Sequence, residues 1–264
     1  MDRLLGALKS IWIRKWEIYQ HVFDIPKLYL NREKELADVD LDICINSFGF
    51  SYSKNCWHPV TAFLNEIVAE PSLVFSEESV FYKFYEMYRP VDMLHLVKNY
   101  YPFVTFAPSV GINPWGGFSR EAMRIGGEPL KETSWLCGPL DNDSIKLNIR
   151  RTTDLLHSIS RYGYTPWFPT HSFVEGCFLE KENGDRRFVV IHGKHRAAVL
   201  SHLGFDNILA RYAPESEKVI KESQVHQWYY VQKNLCSVED ALAYFNAYFE
   251  LNGKERARKL GLLR

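Results

Sequence analysis

The sharpest patterning of apolar and polar positions lies between residues 140 and 214. "TTDLLHSISRYG" (152–163) sets Leu155, Leu156 and Ile159 at helical spacing behind a Thr and ahead of a Gly, which predicts a helix. "HSFVEGCFLEKENGDRRFVVIHG" reads as two strands joined by a turn at Asn183-Gly184-Asp185. Its end, 188–191, is rich in β-branched residues and fits a buried strand. A helix is predicted over 194–203, with Ala197, Val199, Leu200 and Leu203 available for burial and Gly204 ending it. Asp206-Asn207 then turns the chain into a strand, "ILARY". Strand, helix and strand in so short a span predict a βαβ crossover.

The flanks differ in texture. Residues 1–139 are aromatic-rich and broken by Pro and Gly. There, 81–97 reads as a helix stopped before Pro90 and a further short apolar segment, and 109–130 as a loop containing Asn113-Pro114 and two Gly-Gly pairs. The first twenty residues place Leu4, Leu5, Leu8, Ile11 and Trp12 at helical spacing among Arg3, Lys9, Arg14 and Lys15. Such a helix either rests on an anionic membrane surface or packs against the rest of the protein. Residues 215–264 form a helical extension: Ser237 and Asp240 resemble a capping box, and Val238, Ala241, Leu242, Phe245 and Phe249 share one face. The expected class is α+β, with a small mixed sheet in 140–214 between a mostly helical 1–139 and a helical 215–264.

Composition narrows the function classes. At 264 residues and 46% hydrophobic, the chain has material for a substantial core. Lys plus Arg and Asp plus Glu both number 32, and this balance argues against general nucleic-acid binding. Five cysteines in no CxxC pair argue against a zinc knuckle or disulfide framework and for reduced thiols in a cytoplasmic protein. No apolar run approaches a membrane span, so the expected membrane contact is peripheral, at the inner membrane through residues 1–20.

The chemistry concentrates in "VVIHGKHRAAVLSHLG" (189–204), where a strand gives way to a helix. Gly193 lets another group approach the backbone closely, and the first turn of the helix carries unpaired N–H groups and the positive end of the macrodipole. Lys194, His195 and Arg196 add donors to the same turn, so the junction is a candidate phosphate site, with His195 able to move a proton. The alternative is structural, with His195 and Arg196 capping their neighbours and Lys194 solvated.

The pieces "LLHSISRYGYTPWFP" and "RFVVIHGKHRAAVLSHLGFDNILARY" follow the order and spacing of the ParB/sulfiredoxin-like superfamily. There a helix ending "SI…G" precedes a strand, then "GxHR" or "GERR", then "A…LG" and a final strand. The resemblance covers about residues 140–214. It implies a nucleotide, ATP or CTP, accompanied by Mg2+, whose phosphates contact Gly193, Lys194, His195 and Arg196. His192 joins them, as does Arg151, since Arg150 or Arg151 stands where ParB-like proteins carry an arginine before the first helix. Sulfiredoxins carry a nucleophilic Cys where this chain has Lys194, which excludes peroxiredoxin repair. DNA-sliding ParB proteins carry "GERR" and a helix-turn-helix domain, neither found here. The nearest branch is that of the free-serine kinases, although their Asp is His192 in this chain.

The resemblance therefore implies phosphoryl transfer to a small hydroxyl compound, an amino acid or sugar derivative, with His195, Asp141 and Asp143 as catalytic candidates; Glu128 and Glu175 are further carboxylates to weigh. Trp57, His58 and Trp115 are candidates for holding the acceptor, by stacking and hydrogen bonding, with core packing as the alternative. The competing readings are a nucleotide-sensing module without transfer, which His192 favours, and a ParB-like DNA-associated CTPase.

Overall fold

The computed structural model describes residues 35–88, 113–116, 138, 140–167, 172–214 and 216–263. It is a mixed α/β fold built on a six-stranded sheet. The strands are β1 (Leu36–Asp40), β2 (Cys44–Asn46), β3 (Val174–Glu180), β4 (Arg186–His192), β5 (Asn207–Tyr212) and β6 (Val219–Lys221). Their order is β1-β5-β3-β4-β2, with β6 also on β3. The helices are α1 (Pro59–Ala69), α2 (Val80–Met87), α3 (Asn142–Tyr162), α4 (Lys194–His202), α5 (Tyr229–Gln232), α6 (Val238–Glu250) and α7 (Lys254–Lys259).

The hairpin forms as its sequence predicts. Gly184 supplies the left-handed backbone of the turn at φ 89°, and the Asn183 side chain accepts from the Asp185 amide at 3.0 Å. The alternate residues Phe188 and Val190 are buried, as are Val189 and Ile191 on the other face, so β4 is covered on both faces. Each such side chain contributes roughly 1.5–3 kcal/mol by leaving water. Helix α4 packs on β3 and β4 and lies against α1 and α3. Its Ala197, Ala198, Val199 and Leu200 are buried, and Gly204 turns the chain out at φ 79°.

Three expectations are corrected. First, the sheet is not confined to 140–214: β1 pairs with β5, β2 with β4, and β6 with β3. The flanking stretches thus supply half of its strands, as segments of three to five residues too short to announce themselves by alternation. Second, β4, α4 and β5 are not a parallel crossover. β3 lies between the two strands, antiparallel to β4 and parallel to β5, so β4 and β5 run in opposite directions. Third, the helix read from Thr152 begins ten residues earlier, with Asp141 as its cap. Thr152 sits inside it and donates to the Asn148 carbonyl at 2.7 Å, the usual way a mid-helix Thr satisfies its hydroxyl.

The C-terminal reading holds in outline. Ser237 caps α6, its hydroxyl accepting from the Asp240 amide at 3.0 Å. Tyr244, Phe245 and Tyr248 are fully buried. Among the described residues no helix is long and apolar enough to cross a membrane. The amphipathic stretch 1–20 and Glu128 lie outside the described residues.

One glycine ties the C-terminal helices to the site. Gly253, at φ 81°, caps α7 beside the Trp57 carbonyl, 2.1 Å from where a Cβ would stand. A Gly253→Ala change combines left-handed strain with that clash and is expected to cost at least about 2 kcal/mol. Thermal melting should register this as a fall of roughly 4–8 °C for a chain of this size. An unchanged melting temperature would show that the backbone here relaxes freely.

Candidate functional site

The strand-to-helix junction is built as the sequence suggests, but Gly193 serves a different neighbour. It closes β4 in the left-handed conformation, at φ 77°. A Cβ there would lie 2.7 Å from Nη1 of Arg196 and 3.0 Å from Cα of Val174. The close approach that Gly193 allows is therefore that of the protein's own guanidinium. Arg196 donates from Nη1 to the Phe173 carbonyl at 2.8 Å, while its Nε is buried without a partner. The carboxylate of Glu175 and the phenol of Tyr164 add to its surroundings, so Arg196 faces the start of β3. Glu175 itself forms an ion pair with Arg211.

His195 turns to α3. Its Nδ1 lies 2.7 Å from the Thr152 hydroxyl, whose single proton already goes to the Asn148 carbonyl. Thr152 therefore accepts from His195 Nδ1–H, and Nε2 is the unprotonated nitrogen of the ring. Burial, with help from Lys194, Arg151 and Arg196, pushes the imidazole down to about 4, so it is neutral at physiological pH. Burial also brings the Lys194 ammonium down to about 8. Arg151, exposed on α3 next to Thr152, acts on His195 through its field.

A histidine from the N-terminal third completes the cluster. His58 caps α1, its Nδ1 accepting from the Val60 amide at 3.2 Å, and its ring stacks on Tyr52 with centroids 4.5 Å apart. Burial, then the fields of His195 and Lys194, hold it down to about 3. Asn46, at the end of β2, brings its Nδ2 to 3.3 Å from His58 Nε2. Asn46, His58, Val60, Lys194 and His195 line a cavity of about 20 Å3 with Phe84 among its apolar walls. That is room for about one water molecule or one ligand oxygen. The N-termini of α1 and α4 both open on it.

The hydrogen bonds around His58 do not balance. Asn46 Oδ1 accepts from the amides of Phe48 at 2.9 Å and Phe50 at 3.0 Å, so its NH2 must face His58. A neutral imidazole has one N–H and one lone pair. With Nδ1 accepting from Val60, Nε2–H meets the Asn46 NH2 donor to donor. With the proton on Nδ1, the Val60 amide is the one left over. Rotating the Asn46 amide would forfeit two backbone bonds to mend one. A buried donor left without an acceptor costs about 1–3 kcal/mol.

The other predicted residues lie elsewhere. Asp141 is the cap of α3, accepting from the Ser144 amide at 2.8 Å and hydroxyl at 2.6 Å. Eleven residues of helical rise, about 16 Å, separate it from Thr152, and about 13 Å separate Asp143 from it. The structure therefore does not bring either carboxylate to His195. Trp57 is buried against Phe50, at 5.5 Å between centroids, and Trp115 packs with Trp228, Tyr244, Phe245 and Tyr248. Trp57 is a core residue and Trp115 is half-buried against the core, and of the three acceptor candidates only His58 lines the cavity. His192 is exposed at the end of β4, in register with Glu175 across a bulge.

Sequence reasoning missed Asn46 and Thr152. Thr152 carried a signal, since a Thr at a buried helix position looks for a partner; Asn46 carried none. A larger cavity, of about 220 Å3, lies by Tyr52, Lys54, Ser201 and Asp206 and includes no predicted site residue. Among the described residues no group of His, Cys, Asp or Glu is placed to hold a metal ion. No protein-family model matches the chain, and no curated protein or solved structure matches it either.

The neutral histidines make the fold sensitive to acid. Below pH 6.5 the unfolded chain binds protons on His58 and His195 that the folded chain refuses until about pH 3 and 4. Stability is therefore complete above pH 6.5 and falls as the pH drops, by up to about 1.4 kcal/mol per pH unit for each histidine. Urea unfolding at pH 7, 6 and 5 should show this slope before the carboxylates titrate, and a flat profile would mean the rings are open to water.

Proposed function

We propose that the protein is a nucleotide-dependent phosphotransferase acting on a small hydroxyl-bearing metabolite. The observation that carries the reading is the hydrogen bond from His195 to Thr152, which leaves a half-buried, neutral imidazole with Nε2 as its basic atom beside Lys194. A base of this kind takes the proton of an acceptor hydroxyl as its oxygen attacks the terminal phosphorus of ATP or CTP. The bond to the bridging oxygen breaks and the nucleoside diphosphate leaves. The first-turn amides of α4 and the Lys194 ammonium would hold the phosphates and offset the charge that develops on them. The described residues gather no carboxylate set for Mg2+, so an ion would ride on the phosphates, and the reading assigns it no step.

A second reading is a nucleotide sensor without transfer. It is favoured by Arg196, which is engaged with the Phe173 carbonyl, and by the distance of Asp141 and Asp143 from His195.

Calorimetric titration with ATP, CTP and GTP, with and without Mg2+, tests binding in the wild type and in His195→Ala. Diphosphate release that depends on an added hydroxyl metabolite tests transfer. Thr152→Val is expected to lower kcat by about tenfold or more with little change in KM, and to shift the acid limb of the pH profile, because it removes the group that fixes the tautomer. Nucleotide binding with no turnover across a broad metabolite panel would replace the kinase with the sensor. No binding of any nucleotide would overturn both.

A further inference from the structure

We infer that the cavity between α1 and α4 is a pocket for one anionic oxygen, selected by the Asn46 NH2 group and the His58 ring. The inference goes beyond the phosphotransferase reading, since the surplus of donors at Asn46, His58 and Val60 stands whatever the donor substrate is. Asn46 and His58 are each 4% exposed, and both line the cavity. The Asn46 Oδ1 is committed to the Phe48 and Phe50 amides, and the Val60 amide already points at Nδ1 of His58. Every arrangement of the protons on this ring leaves one N–H of the group without an acceptor. Protonating the ring adds another donor and worsens the mismatch.

A ligand oxygen entering the cavity resolves it. It accepts from Asn46 Nδ2 and, in the same tautomer, from His58 Nε2–H, while Nδ1 keeps its bond to Val60. The cavity of about 20 Å3 fits one oxygen, so the rest of the ligand stays outside it. Lys194 and the two converging helix N-termini make a negative oxygen better than a neutral one. The ligand class is therefore an oxyanion, a phosphate or a carboxylate, with a single oxygen buried.

The decisive variant is Asn46→Asp. It keeps the oxygen that the Phe48 and Phe50 amides need and replaces the NH2 with an oxygen that accepts from His58 Nε2–H. The variant thus carries its own acceptor and repels an anion. The full chain is titrated with inorganic phosphate and, separately, with acetate at constant ionic strength. The readouts are melting temperature and the ring nitrogen signals of His58 in histidine-labelled protein. One anion or both should raise the wild-type melting temperature and move the Nε2 signal, and which of them does so names the source of the oxygen. Asn46→Asp should melt no lower than wild type without anion and lose affinity by roughly tenfold to a hundredfold.

If Asn46→Asp fails to fold, the wild-type ring signals alone decide. A His58 signal that neither anion moves overturns the proposal, as does an Asn46→Asp chain that binds as well as wild type. A nucleotide titration on the same samples separates this from the phosphotransferase reading. Nucleotide bound with His58 silent sinks the pocket alone; phosphate bound at His58 without nucleotide sinks both nucleotide readings and leaves the pocket standing.

Discussion

The site depends on three residues of parallel pairing. Cys44, Ile45 and Asn46 run beside Phe188, Val189 and Val190, so β2 and β4 end on the same side of the sheet. Each then leads into a helix, α1 by way of His58 and α4 by way of Gly193. Parallel strands need a long connection, and here it is residues 47–185, closed against a substantial loss of chain entropy. What holds it closed is the apolar interior that the two strands and α4 share, where Cys44, Ile45, Phe188 and Leu200 are all buried. With that pairing in place, Asn46 and His58 face Lys194 and His195 without further design.

The resulting cluster is electrostatically one-sided. Two neutral imidazoles, an ammonium weakened by burial and two helix N-termini converge with no acidic side chain among the residues that line their cavity. Such an arrangement works against folding, because the charged forms are disfavoured and donors outnumber acceptors. Groups perturbed in this way cluster at functional sites. The surrounding aromatic core, with Phe50, Phe84 and Tyr52 in contact around His58, offsets the strain.

Legibility followed sequence distance. The β3–β4 hairpin, α4 and β5 were readable because turn residues, β-branched runs and glycine stops act within a few positions. β1, β2 and β6 were not, because strands of three to five residues gain their identity from a partner far along the chain. The start of α3 was readable in principle, as Asp141 and Ser144 have capping spacing, but Thr152 offered a competing start at the same helix. Of the GKHR turn, Lys194 and His195 line one cavity, while the direction of Arg196 is set by the Phe173 carbonyl just ahead of β3, a partner the local sequence does not announce. The tryptophans were ambiguous for a general reason: a large ring satisfies a core as well as it does a ligand.

Strand β3 has a divided flank. Its first half, Val174 to Gly176, is bonded to β5, and its second half, Phe178 to Glu180, to β6. A fragment trimmed to the patterned stretch ending at Tyr212 would strip the second half of its cover. Its backbone amides and carbonyls would then lie open as a template on which another copy could add itself. Any autonomous piece of this chain must therefore begin no later than Leu36 and run at least through Lys221, and shorter versions are candidates for fibre-like self-association rather than for assay.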